Sequence, residues 1–142
     1  MTNINMFNLE SIPESLMVIG GGAIGTEMAQ AFSRLGSKVT LAQMDKYLMP
    51  NGDEEAAGVL ELAFKRENIS VYNSTTIKNV KKENEKIVIE TDKGNFITDK
   101  ILVATGRQPV LESLALDKAG IVYTKKRNYG ADSKIYARKK LI

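Results

Sequence analysis

Hydrophobic positions change their period along this chain, and the changes mark its elements. Leu16-Met17-Val18-Ile19 is an unbroken apolar run stopped by Gly20-Gly21-Gly22, as expected of a short parallel strand buried on both faces. From Ala23 to Leu35 the spacing lengthens. Ile24, Met28, Ala31, Phe32 and Leu35 recur at helical intervals and predict one buried face. Gly36 then offers a residue suited to the left-handed turn that ends a helix. A second strand is predicted over Lys38 to Ala42. A loop through Pro50-Asn51-Gly52 leads to a helix over Asp53 to Glu67, with Ala56, Val59, Leu60, Ala63 and Phe64 as its expected stripe. The acids at its start (Asp53, Glu54, Glu55) and the bases near its end (Lys65, Arg66) complement the helix dipole. Ile69 to Tyr72 reads as a third strand.

Strand-helix-strand-helix-strand implies parallel pairing through right-handed crossovers. The period then shortens. Thr75 to Lys82, Lys86 to Thr91 and Asn95 to Ile97 read as strands of a meander, separated by the polar turns Glu83-Asn84-Glu85 and Asp92-Lys93-Gly94. Ile101-Leu102-Val103-Ala104 reads as a buried central strand ending at Thr105-Gly106. The expected fold class is α/β: a Rossmann-like parallel sheet with helices on one face and a three-stranded antiparallel meander on the other. Residues 1–120 form the expected domain and 121–142 a basic tail.

Gly20-x-Gly22-x-x-Gly25 follows a predicted strand and opens a predicted helix, the context that a dinucleotide fingerprint requires. Gly20 permits the tight turn, Gly22 lets a pyrophosphate approach the backbone, and Gly25 lets helix and strand pack closely. The helix that follows presents unpaired amides and the positive end of its dipole. The position that reads the ribose lies at the end of the second strand, where this chain has Gln43 rather than an acid. Asp45 could serve that role from the loop, and Lys46 could meet a 2′-phosphate. NAD and NADP both remain open, with NAD slightly favoured.

Composition narrows the chemistry. The chain has 142 residues, 43% of them hydrophobic and 26% charged, a globular balance that excludes disorder. It has no Cys and no His. A thiolate nucleophile, a disulfide framework, a thiolate metal site and a histidine acid-base are therefore excluded, and no catalytic or metal-binding residue is assigned. Residues 121–142 hold seven Lys or Arg and one acid, Asp132, whereas the remainder carries 13 basic and 16 acidic groups. The tail suggests an alternative reading, a nucleic-acid or acidic-partner module using Lys125-Lys126-Arg127 and Arg138-Lys139-Lys140, with Tyr129 and Tyr136 to stack on bases. An acidic body and the lack of a recognised nucleic-acid fold count against it. A self-sufficient dehydrogenase built on Tyr123 and Lys125 is discounted, since nothing places them at a cofactor. No apolar run suits a membrane span, and Met1 to Ser11 show no basic or apolar leader, so the expected location is cytoplasmic.

Pro13-Glu14-Ser15-Leu16 leads into Val18-Ile19-Gly20-Gly21-Gly22-Ala23-Ile24-Gly25-Thr26-Glu27, and the last strand runs into Val103-Ala104-Thr105-Gly106-Arg107-Gln108-Pro109. Together these motifs resemble the pyridine nucleotide-disulfide oxidoreductases, the family of dihydrolipoamide dehydrogenase, mercuric reductase and glutathione reductase. The likeness covers about Ile12 to Gly120. It implies an NAD(P)H domain of the kind inserted within an FAD domain. It also implies that Gly20, Gly21, Gly22, Ala23, Ile24 and Gly25 hold the pyrophosphate and that Gln43 stands where the ribose-reading acid usually is. Ile77 would touch the adenine region, and Gly106 would lie near the nicotinamide end. Glu27 resembles the glutamate beside the nicotinamide that pairs with a lysine of the flavin domain; its alternative reading is an acid in the first turn of a helix. The family's cysteine pair and His-Glu pair have no counterpart here. Lys134-Ile135-Tyr136-Ala137 continues as Arg138-Lys139-Lys140 where the family has Gly-Asp. The expectation is thus an NAD(P)H-binding domain whose partners are the FAD-binding and dimerisation domains of a parent enzyme. FAD is not expected on this chain alone. The chain reads as an excised domain or a truncated gene product, with the tail a remnant of the returning FAD-domain segment.

Overall fold

Strands and helices alternate as β1 (Ser15–Ile19), α1 (Ala23–Arg34), β2 (Lys38–Ala42), α2 (Glu54–Arg66) and β3 (Ser70–Tyr72). The computed structural model describes residues 1–2, 4–106, 115 and 118. Beyond β3 come β4 (Ile77–Glu83), β5 (Lys86–Thr91), β6 (Gly94–Thr98) and β7 (Lys100–Val103). The chain divides into the units Met1–Gly106 and Arg107–Ile142, and every one of these elements lies in the first. The boundary near residue 120, the Arg107-Gln108-Pro109 motif and the basic tail fall outside the described residues.

The first sheet is parallel, in the order β3-β2-β1-β7, and the second is the antiparallel meander β4-β5-β6. Val18 lies opposite both Leu41 and Leu102, which makes β1 an interior strand. Alternation along the strands sorts their side chains between two cores. Leu16, Val18, Val39, Leu41 and Leu102 pack with Ala29 and Phe32 of α1 and Phe64 of α2. Met17, Ala42 and Ile101 pack with Ile89 of the meander, joined by Ile19, Ile77, Ile87 and Phe96. Helices cover one face and the meander the other, as the pattern implied.

Three details differ from the sequence reading. The buried face of α1 runs through Gly25, Thr26, Ala29 and Phe32, while Leu35 is exposed because the helix ends at Arg34 and Leu35 is its C-cap. On α2 the buried positions are Ala57 and Phe64, with Leu60 packed beside them; Ala56 and Val59 face outward. Adjacent apolar pairs such as Ala56-Ala57 and Val59-Leu60 leave the phase of a helix ambiguous by one residue, and the seat of Phe64 against the sheet resolves it. Finally, β7 is the last strand of its sheet rather than a central one. Its outer side is met by Met1, whose ammonium donates to the Ile101 carbonyl (2.6 Å) and whose carbonyl accepts from Val103 N–H (2.8 Å).

Asp99 ties the two sheets together. Its carboxylate accepts from the Ser15 amide (2.9 Å), the Ser15 hydroxyl and the Lys86 ammonium, linking β1, β5 and the β6–β7 junction. The hydrogen bonds from Lys86 and Ser15 hold its pKa down at about 2. Among the described residues no helix is long and apolar enough to cross a membrane.

Candidate functional site

The glycine loop leaves the C-terminal end of β1, and each glycine there meets a different environment. Gly20 donates to the Ala42 carbonyl (2.8 Å) and has φ of 108°, a backbone conformation that L side chains rarely adopt. A Cβ at Gly20 would overlap the Ala104 carbonyl, and one at Gly25 would overlap the carbonyl oxygen of Gly20. These two glycines let the end of β1, the first turn of α1 and the segment after β7 converge backbone to backbone. Gly21 is enclosed: a Cβ would come within 2.6 Å of Leu48 and 3.2 Å of Gln43. Its polar groups are both used, the amide by Gln43 Oε1 (2.8 Å) and the carbonyl by Met49 N–H (2.8 Å).

Gly22 is the exception. The position its Cβ would occupy has no atom within 4 Å. It is the N-cap of α1 and no side chain caps that end. The first intrahelical bond runs from Thr26 N–H to the Gly22 carbonyl (2.9 Å), so the amides of Ala23, Ile24 and Gly25 precede the ladder. The first turn contains no acid. Uncapped amides, the positive dipole end and open space at the cap form a setting for an anion. The Thr26 hydroxyl turns back to the carbonyls of Gly22 (3.1 Å) and Ala23 (3.0 Å), which keeps it off those amides.

The other expected residues are placed as follows. Ala23 is exposed and Ile24 half-buried at the start of α1, while Glu27 is exposed in the helix's second turn. The first-turn reading of Glu27 therefore gives way, because Glu27 is the fifth residue of a helix that begins at Ala23. Gln43 is buried at the end of β2, its side chain bonded to Gly21 on one side and Asp45 on the other. Lys46 is exposed and pairs with Glu54 of α2 (3.1 Å). Ile77 opens β4 and packs into the meander-side core. Gly106 is exposed with φ of 130°. The structure thus brings the glycine loop, Gln43 and Asp45 together, and sets Ile77 half-buried against the meander-side core. That Leu48 and Met49 close over Gly21 was not legible in the sequence, since the loop carrying them has no periodicity.

The family model for pyridine nucleotide-disulphide oxidoreductases matches residues 1–139. The chain belongs to this family. Among the pyridine nucleotide-disulphide oxidoreductases, it is 41% identical over 118 residues to the dihydrolipoyl dehydrogenase of Thermus scotoductus, covering 79% of this chain and 26% of that protein. The HOCl-induced flavoprotein disulfide reductase RclA from Escherichia coli superposes with a TM-score of 0.79 at 26% identity, over 89% of this chain and 29% of its own. The water-forming NADH oxidase from Lactobacillus brevis bound to NADH gives 0.71 at 26% identity, over 79% of this chain and 24% of its own. The chain spans about a quarter of the length of these relatives.

Proposed function

We propose that this chain is the NAD(P)H-binding domain of a flavin-dependent disulfide oxidoreductase and that its task is to position the nicotinamide for hydride transfer with FAD. One observation carries the reading: the cap of α1 is bare, open and free of acids, while the rest of the glycine loop is packed tight. The residues present fit a dinucleotide. The amides of Ala23, Ile24 and Gly25 would hold the pyrophosphate at the open side of Gly22, and the end of β2 would face the adenosine ribose. The relatives support the same class, since one is described as bound to NADH and another as a flavoprotein disulfide reductase.

When bound, the nicotinamide supplies the hydride chemistry. This chain's own groups bind and orient it, and orientation is a share of catalysis that a binding scaffold can give. With no Cys and no His, the chain by itself is inactive toward disulfides. Titration of the purified chain with NADH, followed by nicotinamide fluorescence, tests the proposal. Saturable binding with a change in emission is expected. A folded chain that leaves NADH and NADPH unbound at millimolar concentration would overturn it.

A further inference from the structure

Gln43 puts no negative charge at the strand end, where a Rossmann domain commonly carries the acid that reads the ribose. Its carboxamide is committed at both ends. Oε1 accepts from the Gly21 amide (2.8 Å), and Nε2 donates to Asp45 Oδ2 (2.8 Å). The backbone of Gln43 is fastened as well, its amide donating to the Tyr72 carbonyl (2.9 Å) and its carbonyl accepting from Thr75 N–H (2.8 Å). Asp45 is held through its own carbonyl by Ser74 N–H (2.9 Å). A carboxylate therefore stands two residues beyond Gln43, joined to the glycine loop through one amide fastened at both ends. The Asp45 side chain is exposed and, among the described residues, makes no ion pair. Its neighbour Lys46 is drawn instead to Glu54 (3.1 Å).

We propose that Asp45 selects NAD(H) over NADP(H) and that Gln43 is the positioning residue that holds it in place, an assignment that rests on the dinucleotide reading above. A carboxylate accepts hydrogen bonds from ribose hydroxyls and repels a 2′-phosphate, whereas a neutral carboxamide does not repel it. The charge has moved from the strand to the loop, and Gln43 transmits the fixed geometry of Gly21 to it.

The test compares the wild-type chain with D45N, Q43L and Q43E/D45N, each titrated with NADH and NADPH by fluorescence after a thermal melt establishes folding. Asp45 is exposed, so D45N retains the fold. The wild type is expected to favour NADH by about ten-fold or more, the scale of one charge-assisted hydrogen bond. D45N brings the ratio of the two affinities close to one, and Q43L lowers it. Q43E/D45N restores it by returning the charge to the strand end. A wild-type preference for NADPH, or an unchanged ratio in D45N with both nucleotides still bound, overturns the assignment and leaves the dinucleotide reading standing. Failure of the folded wild-type chain to bind either nucleotide overturns both.

Discussion

Helix α2 begins on Asp53, whose carboxylate accepts from the amides of Glu55 (2.8 Å) and Ala56 (3.0 Å), and its first turn carries Glu54 and Glu55. Helix α1 begins on Gly22, with no capping side chain and no acid in its first turn. Both helices face the same physical problem, a set of unpaired amides at the positive end of a dipole. One solves it with its own side chains; the other has no side-chain partner at that end. The difference teaches that two α-helices of one fold can treat the same end in opposite ways, one closed by Asp53 and one left open at Gly22. Self-capping closes the start of α2. The bare end of α1 is where the proposed dinucleotide site lies.

The largest effect that can sharpen this contrast is expected at Gly25. Its Cβ would collide with backbone at Gly20 rather than with a movable side chain, so G25A should lose at least about 3 kcal/mol of stability in urea unfolding. Removing the cap of the other helix, in D53A, should cost about 1 kcal/mol and leave NADH affinity unchanged. Loss of NADH binding in a folded D53A chain would break the division of labour between the helices. Gly58, on α2, meets open space where a Cβ would go. The G58A change should therefore stabilise by about 0.5–1 kcal/mol, opposite in sign to G25A.

A smaller effect lies away from both helix starts, at Asp99. Its folded pKa, held at about 2, is below its ordinary 3.8. The depressed value means that its contribution to stability is present above the ordinary value and is lost as pH falls through about 2. The thermal midpoint should fall over that interval in the wild type and fall less steeply in D99N. The same slope in both would show that the Ser15–Asp99–Lys86 clamp does not stabilise the fold.

Most of the architecture was legible from the sequence because its signals are local. Leu16 to Ile19 is a strand because four apolar residues meet glycines, and the meander reads from alternation broken by polar turns. Apart from the local end of α1 at Arg34, which leaves Leu35 outside, what was misread depends on contacts between distant segments. The phase of α2 is decided by where Phe64 seats on the sheet, and the edge position of β7 by which strands pair with it. The glycine loop was legible because its spacing follows a strand and opens a helix, and because Gly20 and Gly25 answer steric demands that a side chain would fail. The arrangement around Gln43 was not, because its side chain turns onto Gly21, 22 residues earlier in the chain. Asp45 was legible as a loop acid that could read the ribose, but its bond to Gln43 was not.

The account depends on Gly22 being left bare for a phosphate. Its backbone (φ −77°, ψ −176°) suits any N-cap residue and its Cβ position is open, so G22D would give α1 the cap that α2 already has. Calorimetric titration of G22D with NADH, beside the wild type, addresses this directly. The predicted result is a folded protein, more stable by a few tenths of a kcal/mol at most, whose NADH affinity has fallen at least about ten-fold as the new carboxylate occupies the amides and repels the pyrophosphate. Wild-type affinity in a folded G22D chain would contradict it.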